Sequence, residues 1–263
     1  MSRKIDRTQH GHCWGFTPQT SKERKRIVTK AINELVSKVI ASPVVLKTWT
    51  ILENIAQELS TKELPVIINK NPLFWIPQED FNIYNIEGKI EENPLTNSEG
   101  EVASRSCLLS FLSAVRQGQI NKPGIHFSIG AYYRFEEVII LGVREPVFPQ
   151  LEVEIIGMDA DEALYTTLNV LQKILIKLGI NEYRVKIQGT LPENILSRPE
   201  VEYAGVDRQW KLYKTKKNVG FEVYADSSDA ITGGGNFTDL AWRFGLNPNF
   251  HAVGFGLGLL RIK

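Results

Sequence analysis

Between Ala131 and Gly157 the chain alternates apolar and polar positions with period two, in two separate runs. Tyr132, Arg134 and Glu136 fall on one face of the first run, and Ala131, Tyr133 and Phe135 on the other. In the second run Gln150, Glu152 and Glu154 share a face, opposite Leu151, Val153 and Ile155. The pattern predicts two strands joined by a long loop, Glu137 to Pro149, which carries Arg144. Charges lined up on one side of a sheet are costly unless a ligand or partner meets them. Two guanidiniums, one on a strand and one on the overhanging loop, suit a polyphosphate, because arginine offers forked and permanently charged donors.

Elsewhere the hydrophobic period is that of helices. Val28, Ala31, Leu35, Val36 and Val39 recur at helical spacing, predicting a helix from about Lys22 to Ile40 that ends at Ser42-Pro43. Val44 to Trp49 reads as strand, and Ile51 to Leu59 as helix. Leu64 to Ile68, Phe74 to Ile76 and Phe81 to Tyr84 read as short strands, with turns at Glu87-Gly88 and Asn97 to Gly100. Arg105 to Arg116 reads as helix, and His126 to Ile129 as the strand leading into the hairpin. Asp159 is placed to cap a helix with Glu162 as its capping-box partner. That helix carries Leu164, Leu168, Leu171, Leu175 and Leu178 as one stripe and stops at Gly179. Tyr183 to Ile187, Phe221 to Tyr224 and Ala252 to Phe255 read as strands. Leu240 to Phe244 begins a helix that Asn247-Pro248-Asn249 turns, and Gly256 to Ile262 is read as the start of another.

Composition narrows the class. A chain of 263 residues with 43% hydrophobic and 23% charged residues can bury a substantial core, and its net charge of +1 gives no global basic field for nucleic acid. Cys13 and Cys107 make no disulfide framework and suit a reducing cytoplasm. No apolar run is long enough to span a membrane, and MSRKIDRTQHGHC lacks the apolar core of a secretory signal. The His10 to Cys13 run, HGHC, has no second Cys/His cluster to complete a zinc site, so no metal centre is expected there. Residues 1–22 read as an N-terminal arm, and 23–263 as one domain.

A resemblance adds to these readings. YYRFEE, the loop with Gly142-Val143-Arg144, and FPQLEVEIIG resemble motif 2 of class II aminoacyl-tRNA synthetases, most of all the histidyl-tRNA synthetase branch. TGGGNFTDLAWRFG followed by AVGFGLGLLRI resembles that branch's glycine-rich floor and motif 3, ending on Arg261. The helix followed by Pro43 resembles motif 1, the dimer-forming motif. The resemblance covers roughly the second half of the chain. It implies an α+β fold, an antiparallel sheet flanked by helices, using ATP and Mg2+ and forming a homodimer. By resemblance, Arg134 holds the α-phosphate and substrate carboxylate, Arg144 and Arg261 the outer phosphates, and Glu136 the adenine amino group. Arg134 and Arg261 would be the catalytic pair. Gln150 and Glu154 would line the acid pocket above Gly233, Gly234 and Gly235.

The chain departs from the family in four places. The family's ammonium-holding glutamate falls near Ser106 or Cys107, where no acid stands. RQWKLYKTKKNVGFEVY replaces the histidine-recognition run, with its arginine and paired tyrosines. Its Lys211, Lys214, Lys216 and Lys217 read as a solvated edge or as a contact for a carboxylate, phosphate or RNA. Asn236, Phe237 and Thr238 stand where an Arg-Tyr-Asp run is expected. The sequence ends two residues after Arg261, where the family continues into an anticodon-binding domain. The expectation is therefore an enzyme that activates an amino acid or related carboxylic acid as an acyl-adenylate, with transfer to RNA, a carrier protein or a small molecule. The alternatives are the histidyl-tRNA synthetase-like regulatory subunit of ATP phosphoribosyltransferase, in histidine biosynthesis, and a tRNA-binding accessory module. Three phosphate-holding arginines have a purpose only if a triphosphate binds, which favours the enzyme.

Overall fold

The computed structural model describes residues 21–85, 94–134, 145–205, 219–225 and 229–262. Glu136, Arg144, the HGHC run, Glu87-Gly88 and the lysines of 211–217 lie outside the described residues.

The second alternating run forms a long strand, whereas the first lies in a strand only from Ala131 to Tyr133, continuous with the predicted His126 to Ile129 strand; Arg134 stands past its end, and Phe135 and Glu136 lie outside the described residues. β4 spans Gly124–Tyr133 and β5 spans Val147–Ile156, paired antiparallel from Gly124↔Ile156 to Tyr133↔Val147. Beyond β5 the sheet continues antiparallel through β10 (Ala252–Gly258), β9 (Thr232–Asn236), β8 (Gly220–Tyr224) and β6 (Arg184–Gln188). Each edge adds a parallel strand: β1 (Val66–Asn69) beside β4, and β7 (Val201–Tyr203) beside β6. The result is an α+β fold, an eight-stranded sheet, antiparallel at its centre and flanked by helices. A separate two-stranded ribbon pairs β2 (Trp75–Ile76) with β3 (Val102–Ala103).

One face of the sheet is the main core. Ile125, Phe127 and Ile129 of β4, Leu151, Val153 and Ile155 of β5, and Val253, Phe255 and Leu257 of β10 are all buried on it. Two helices cover this face. α5 (Ala160–Lys177) contributes Leu164, Leu168, Leu171 and Leu175, and α2 (Pro43–Leu59) contributes Val45, Leu52 and Ile55. The leucine stripe thus does what its period predicts, each buried leucine adding about 1.5–3 kcal/mol. The Asp159 carboxylate caps α5 by accepting from the Asp161 N–H at 2.9 Å, and Gly179, at φ +89°, ends it.

A second apolar cluster sits against the opposite face. It is built from α3 (Gln78–Asn85), α4 (Cys107–Arg116) and α7 (Thr238–Arg243), with Phe81, Leu109, Phe111, Leu112, Ala241 and Phe244 buried among them. Ser106 caps α4, its Oγ accepting from the Leu109 N–H at 3.3 Å. Asp80 is fixed in this cluster by the Ser113 hydroxyl at 2.5 Å and Arg116 at 3.3 Å.

Three local expectations are corrected. Val44 to Trp49 is helical: Pro43 sits at the start of α2, where its missing N–H costs nothing, and Val45, Thr48, Leu52 and Ile55 are buried at helical spacing. Phe81 to Tyr84 lies in α3, where packing against α4 overrides the strand preference of its aromatic residues. Gly256 to Ile262 is not a helix start. β10 runs on to Gly258, because Val253, Phe255 and Leu257 alternate with glycines, and a 3-10 turn over Leu259–Arg261 follows. α1 (Ser21–Ile40) is the predicted helix, and α2 leaves it at a bend of 53°. Among the described residues no single helix is long and apolar enough to cross a membrane.

Candidate functional site

The sheet face opposite the main core carries polar side chains on one strand and glycines on its neighbours. Gln150 of β5 lies between Gly130 of β4 and Gly258 of β10, Glu152 between Ser128 and Gly256, and Glu154 between His126 and Gly254. The glycines make the room these side chains occupy. A Cβ on Gly256 would stand 2.3 Å from Gln150 Nε2 and 2.8 Å from Glu152 Oε2. On Gly130 it would stand 2.1 Å from the hydroxyl oxygen of Tyr132, whose ring folds back over that position. Long polar side chains therefore lie flat along the sheet instead of standing off it.

Above this lane is a cavity of about 340 Å3. Its floor includes Gln150, Glu152, Gly233, Gly254 and Gly256; Tyr84, Ser106 and Leu108 form part of one wall; Glu145, Glu222, Ala230 and Arg261 also line it. Arg134 lines the same cavity. It lies just past the end of β4, its guanidinium 5.2 Å above the Phe148 ring and its Nε donating to the Arg105 carbonyl at 3.4 Å. Arg261 enters from the 3-10 turn after β10 and donates to the Ala230 carbonyl. The structure thus brings Arg134 and Arg261, far apart in sequence, to one cavity. Arg144 and Glu136 are not described.

The expected acid-pocket residues separate. Gln150 lines the cavity and is tied to α4: its Oε1 accepts from the Cys107 N–H at 3.4 Å, and its main-chain carbonyl accepts from the Cys107 thiol at 3.2 Å. Glu154 is fully buried and does not line the cavity; Glu152 does. Of the predicted glycine floor, Gly233 lines the cavity and Gly234 faces the core, where a Cβ would meet Phe221 at 2.6 Å and Phe255 at 2.7 Å. Gly235 is not part of the lining.

Burial dominates the electrostatics here. It pushes the Glu152 carboxyl up to about 7, and raises Glu154 well above the ordinary carboxylate range, where the Glu152 charge pushes it further. Glu152 Oε2 and both Glu154 oxygens have no hydrogen-bond donor. Neighbours on one strand face, the two carboxyls share a hydrogen bond only when one of them is protonated, and the Cys107 side chain also reaches Glu152. Burial likewise raises the Cys107 thiol well above its usual value, so it is a packed, inert thiol and no nucleophile. It also raises the Tyr132 hydroxyl and lowers His126, whose Nε2 donates to the Lys122 carbonyl at 3.1 Å. On the far wall Glu222 accepts from the Tyr224 hydroxyl at 2.5 Å, which pushes that hydroxyl up to about 12.

Sequence reasoning missed Glu152, Glu222, Ser106 and Tyr84 as lining residues. The period-two pattern already placed Glu152 on the polar face. Tyr84 was hidden by a strand assignment, and nothing in the local pattern around Glu222 points to a cavity. Among the described residues no group of three or more His, Cys, Asp or Glu side chains is placed to hold a metal ion.

The sequence matches no protein-family model and no curated protein. The fold, however, is similar to solved structures. A Desulfitobacterium hafniense pyrrolysyl-tRNA synthetase, PylSc, superposes with a TM-score of 0.59 at 15% identity, covering 90% of this chain and 73% of its own. An ATP phosphoribosyltransferase regulatory subunit/histidyl-tRNA synthetase from Bacillus halodurans gives 0.61 at 13% identity, covering 83% and 79%. The apo S. aureus histidyl-tRNA synthetase gives 0.57 at 18%, covering 84% and 66%. At these identities the likeness shows the fold, that of a class II synthetase catalytic domain, and is compatible with both an activating enzyme and a regulatory subunit.

Proposed function

We propose that the cavity binds ATP with a small carboxylic acid and forms an acyl-adenylate, the acid being an amino acid or a related compound. The observation that carries this reading is the shared cavity: Arg134 and Arg261 line it together, with Gln150 and Gly233 on its floor. In-line attack of a carboxylate on the α-phosphate needs no protein nucleophile. It needs two mutually repelling anions held together and the growing charge on the transferring phosphorus stabilised. Arg134, at the junction between the Phe148 platform and the Gln150 floor, is suited to neutralise both anions. Arg261, which lines the same cavity beside Ala230, is suited to the departing pyrophosphate. Gln150, positioned by the Cys107 N–H, would orient the acid. Arg144 and Glu136 keep their roles in the proposal by resemblance alone.

Magnesium in phosphate sites is usually held by one or two carboxylates plus the phosphates themselves. Glu145 and Glu222 are cavity carboxylates that fit this requirement, and the ion would neutralise phosphate charge there. The carbon skeleton of the acid and the acceptor, whether RNA, carrier protein or small molecule, are left open by this reading.

The proposed form is a cytoplasmic homodimer through α1 and the start of α2. α1 is a helix of 20 residues with none of its described side chains buried, and Ile27, Val28 and Leu35 are exposed on it, as is Leu46 on α2. A stripe of that kind is stable when another surface covers it.

ATP–pyrophosphate exchange over a panel of amino acids and related acids tests the activity. Exchange with at least one acid, abolished in Arg134→Ala, is expected. No exchange with any acid, combined with tight histidine binding, favours the regulatory-subunit reading, which the Bacillus halodurans fold likeness also accommodates.

A further inference from the structure

Arg134 stands just beyond the hold of the sheet. β4 ends at Tyr133, and the Arg134 side chain is exposed. An exposed arginine spreads over many rotamers, and one that must meet a ligand in a fixed pose binds it better when its surroundings choose that pose beforehand. The Phe148 ring of β5 supports the guanidinium from one side, and the Arg105 carbonyl receives its Nε–H at 3.4 Å. Arg105 belongs to no helix or strand, so its carbonyl is held in place by its chain neighbours.

Those neighbours hang on the small ribbon. Ser104 is fully buried; its N–H donates to the Phe74 carbonyl at 2.7 Å, and its carbonyl accepts from the Tyr133 N–H at 2.9 Å. Its hydroxyl donates to the Ser106 carbonyl at 2.9 Å, bridging over Arg105, and Ser106 is itself fixed as the cap of α4. Ser104 follows directly on the rung that pairs Trp75 with Ala103. Strands of two residues carry too few bonds to stand alone. The other rung, Ile76 with Val102, is anchored by burial in the second apolar cluster. The Trp75 rung is anchored differently. Its indole N–H donates to the Asn33 side-chain oxygen of α1 at 2.9 Å, and its ring stands edge-on to Phe74 with centroids 5.0 Å apart. Asn33 is two positions from Leu35, on the far side of the helix from it. A continuous set of contacts thus runs from α1 through Asn33, Trp75, Ala103 and Ser104 to the carbonyl that holds Arg134.

We propose that Trp75 is a positioning residue for Arg134, and that the seating of α1 on the ribbon through Asn33 sets how firmly that guanidinium is presented to the cavity. The inference rests on the activation reading only for what Arg134 then meets, the nucleotide and the acid. It makes α1 and the ribbon, neither of which lines the cavity, determinants of the cavity's affinity.

The test separates the pose of the guanidinium from its use. In the full chain carrying isotope-labelled arginine, the Arg134 Nε–H resonance is identified by its absence from Arg134→Ala. Trp75→Phe keeps a ring and removes the indole N–H. Asn33→Leu keeps the volume and removes the acceptor, whereas Asn33→Asp keeps an acceptor. The Arg134 resonance should shift, and its hydrogen exchange at least about threefold faster with water, in Trp75→Phe and Asn33→Leu, and stay as in wild type in Asn33→Asp. ATP with magnesium should bind Trp75→Phe and Asn33→Leu about three- to tenfold more weakly than wild type. The double variant should bind it no more weakly than either alone, since the same bond is lost in all three. A resonance unchanged in both Trp75→Phe and Asn33→Leu overturns the proposal. So do equal losses in Asn33→Leu and Asn33→Asp, additive losses in the double variant, or ATP bound by both single variants as tightly as by wild type. Should one variant fold poorly, the other reports on the same bond. The resonance is read without nucleotide, so wild type that binds no ATP defeats the activation reading alone and leaves the positioning of Arg134 to be decided by the resonance.

Discussion

The two faces of one sheet follow opposite rules. On the face toward α5, β5 and β10 present Leu151, Val153, Ile155, Val253, Phe255 and Leu257, all buried in continuous contact. On the other face the same strands present Gln150, Glu152 and Glu154 beside Gly254, Gly256 and Gly258. The first face maximises apolar burial, the dominant favourable contribution to folding. The second gives up packing for space and accepts unpartnered carboxyl oxygens. From Gln150 to Glu154 apolar burial lies on one side of the backbone and the capacity for chemistry on the other, where the second apolar cluster of α3, α4 and α7 adds its own burial around the lane.

Substitutions should divide along that plane. Phe255→Ala on the core face is expected to cost about 3–5 kcal/mol in denaturant unfolding, as large-to-small core changes do. Arg134→Ala on the cavity face should lower acid-dependent exchange by about 10^2–10^3-fold, like loss of one transition-state donor, with the unfolding midpoint nearly unchanged because the side chain is exposed. A cavity-face variant that unfolds the protein, or a core-face variant that alters only activity, would break the contrast.

The carboxyl pair sharpens it through pH. Glu152 holds its proton in the folded chain up to about 7, against an ordinary 4.5. Between those values the unfolded chain has released the proton and the folded chain has not, so the folded state binds more protons and stability falls as pH rises. The loss is complete above about 7 and amounts to about 3 kcal/mol for a shift of this size. Glu154 extends the decline to higher pH. Unfolding measured from pH 4.5 to 8 should show this slope, and Glu152→Gln should flatten it. Gly234→Ala would put a methyl 2.3 Å from the Gly254 carbonyl oxygen and 2.6 Å from the Phe221 ring, so the backbone must shift, and it is expected to cost about 3 kcal/mol or more in denaturant unfolding.

Legibility in sequence followed the same division. α5 is readable because a single buried face imposes its period on the residues, and β5 because apolar Leu151, Val153 and Ile155 alternate with polar Gln150, Glu152 and Glu154 even though both of its faces are buried. α1 carries a comparable stripe, yet Val28 and Leu35 are exposed in the single chain. Periodicity reports that a face wants cover, and not what covers it. Leu35→Asp should therefore convert the proposed dimer to monomer by light scattering, with a stability change of the monomer within about 0.5 kcal/mol. The segments read wrongly, Val44 to Trp49, Phe81 to Tyr84 and Gly256 to Gly258, are short apolar or glycine-rich runs whose state is decided by distant packing partners. At the site, motif order placed Arg134, Gln150, Gly233 and Arg261 around one cavity. It did not reveal that Glu152 comes between Glu154 and the cavity, because which of two neighbouring carboxylates reaches a ligand depends on how the side chains lie across Gly254 and Gly256.

The central claim is that Arg134 and Arg261 act on one nucleotide. Calorimetric titration of ATP with magnesium into wild type, Arg134→Ala, Arg261→Ala and the double variant tests it most directly. The account predicts measurable ATP binding by wild type, a loss of affinity in each single variant, and a double-variant loss smaller than the sum of the two. Wild type that binds no ATP, or ATP binding as tight in the double variant as in wild type, would contradict it.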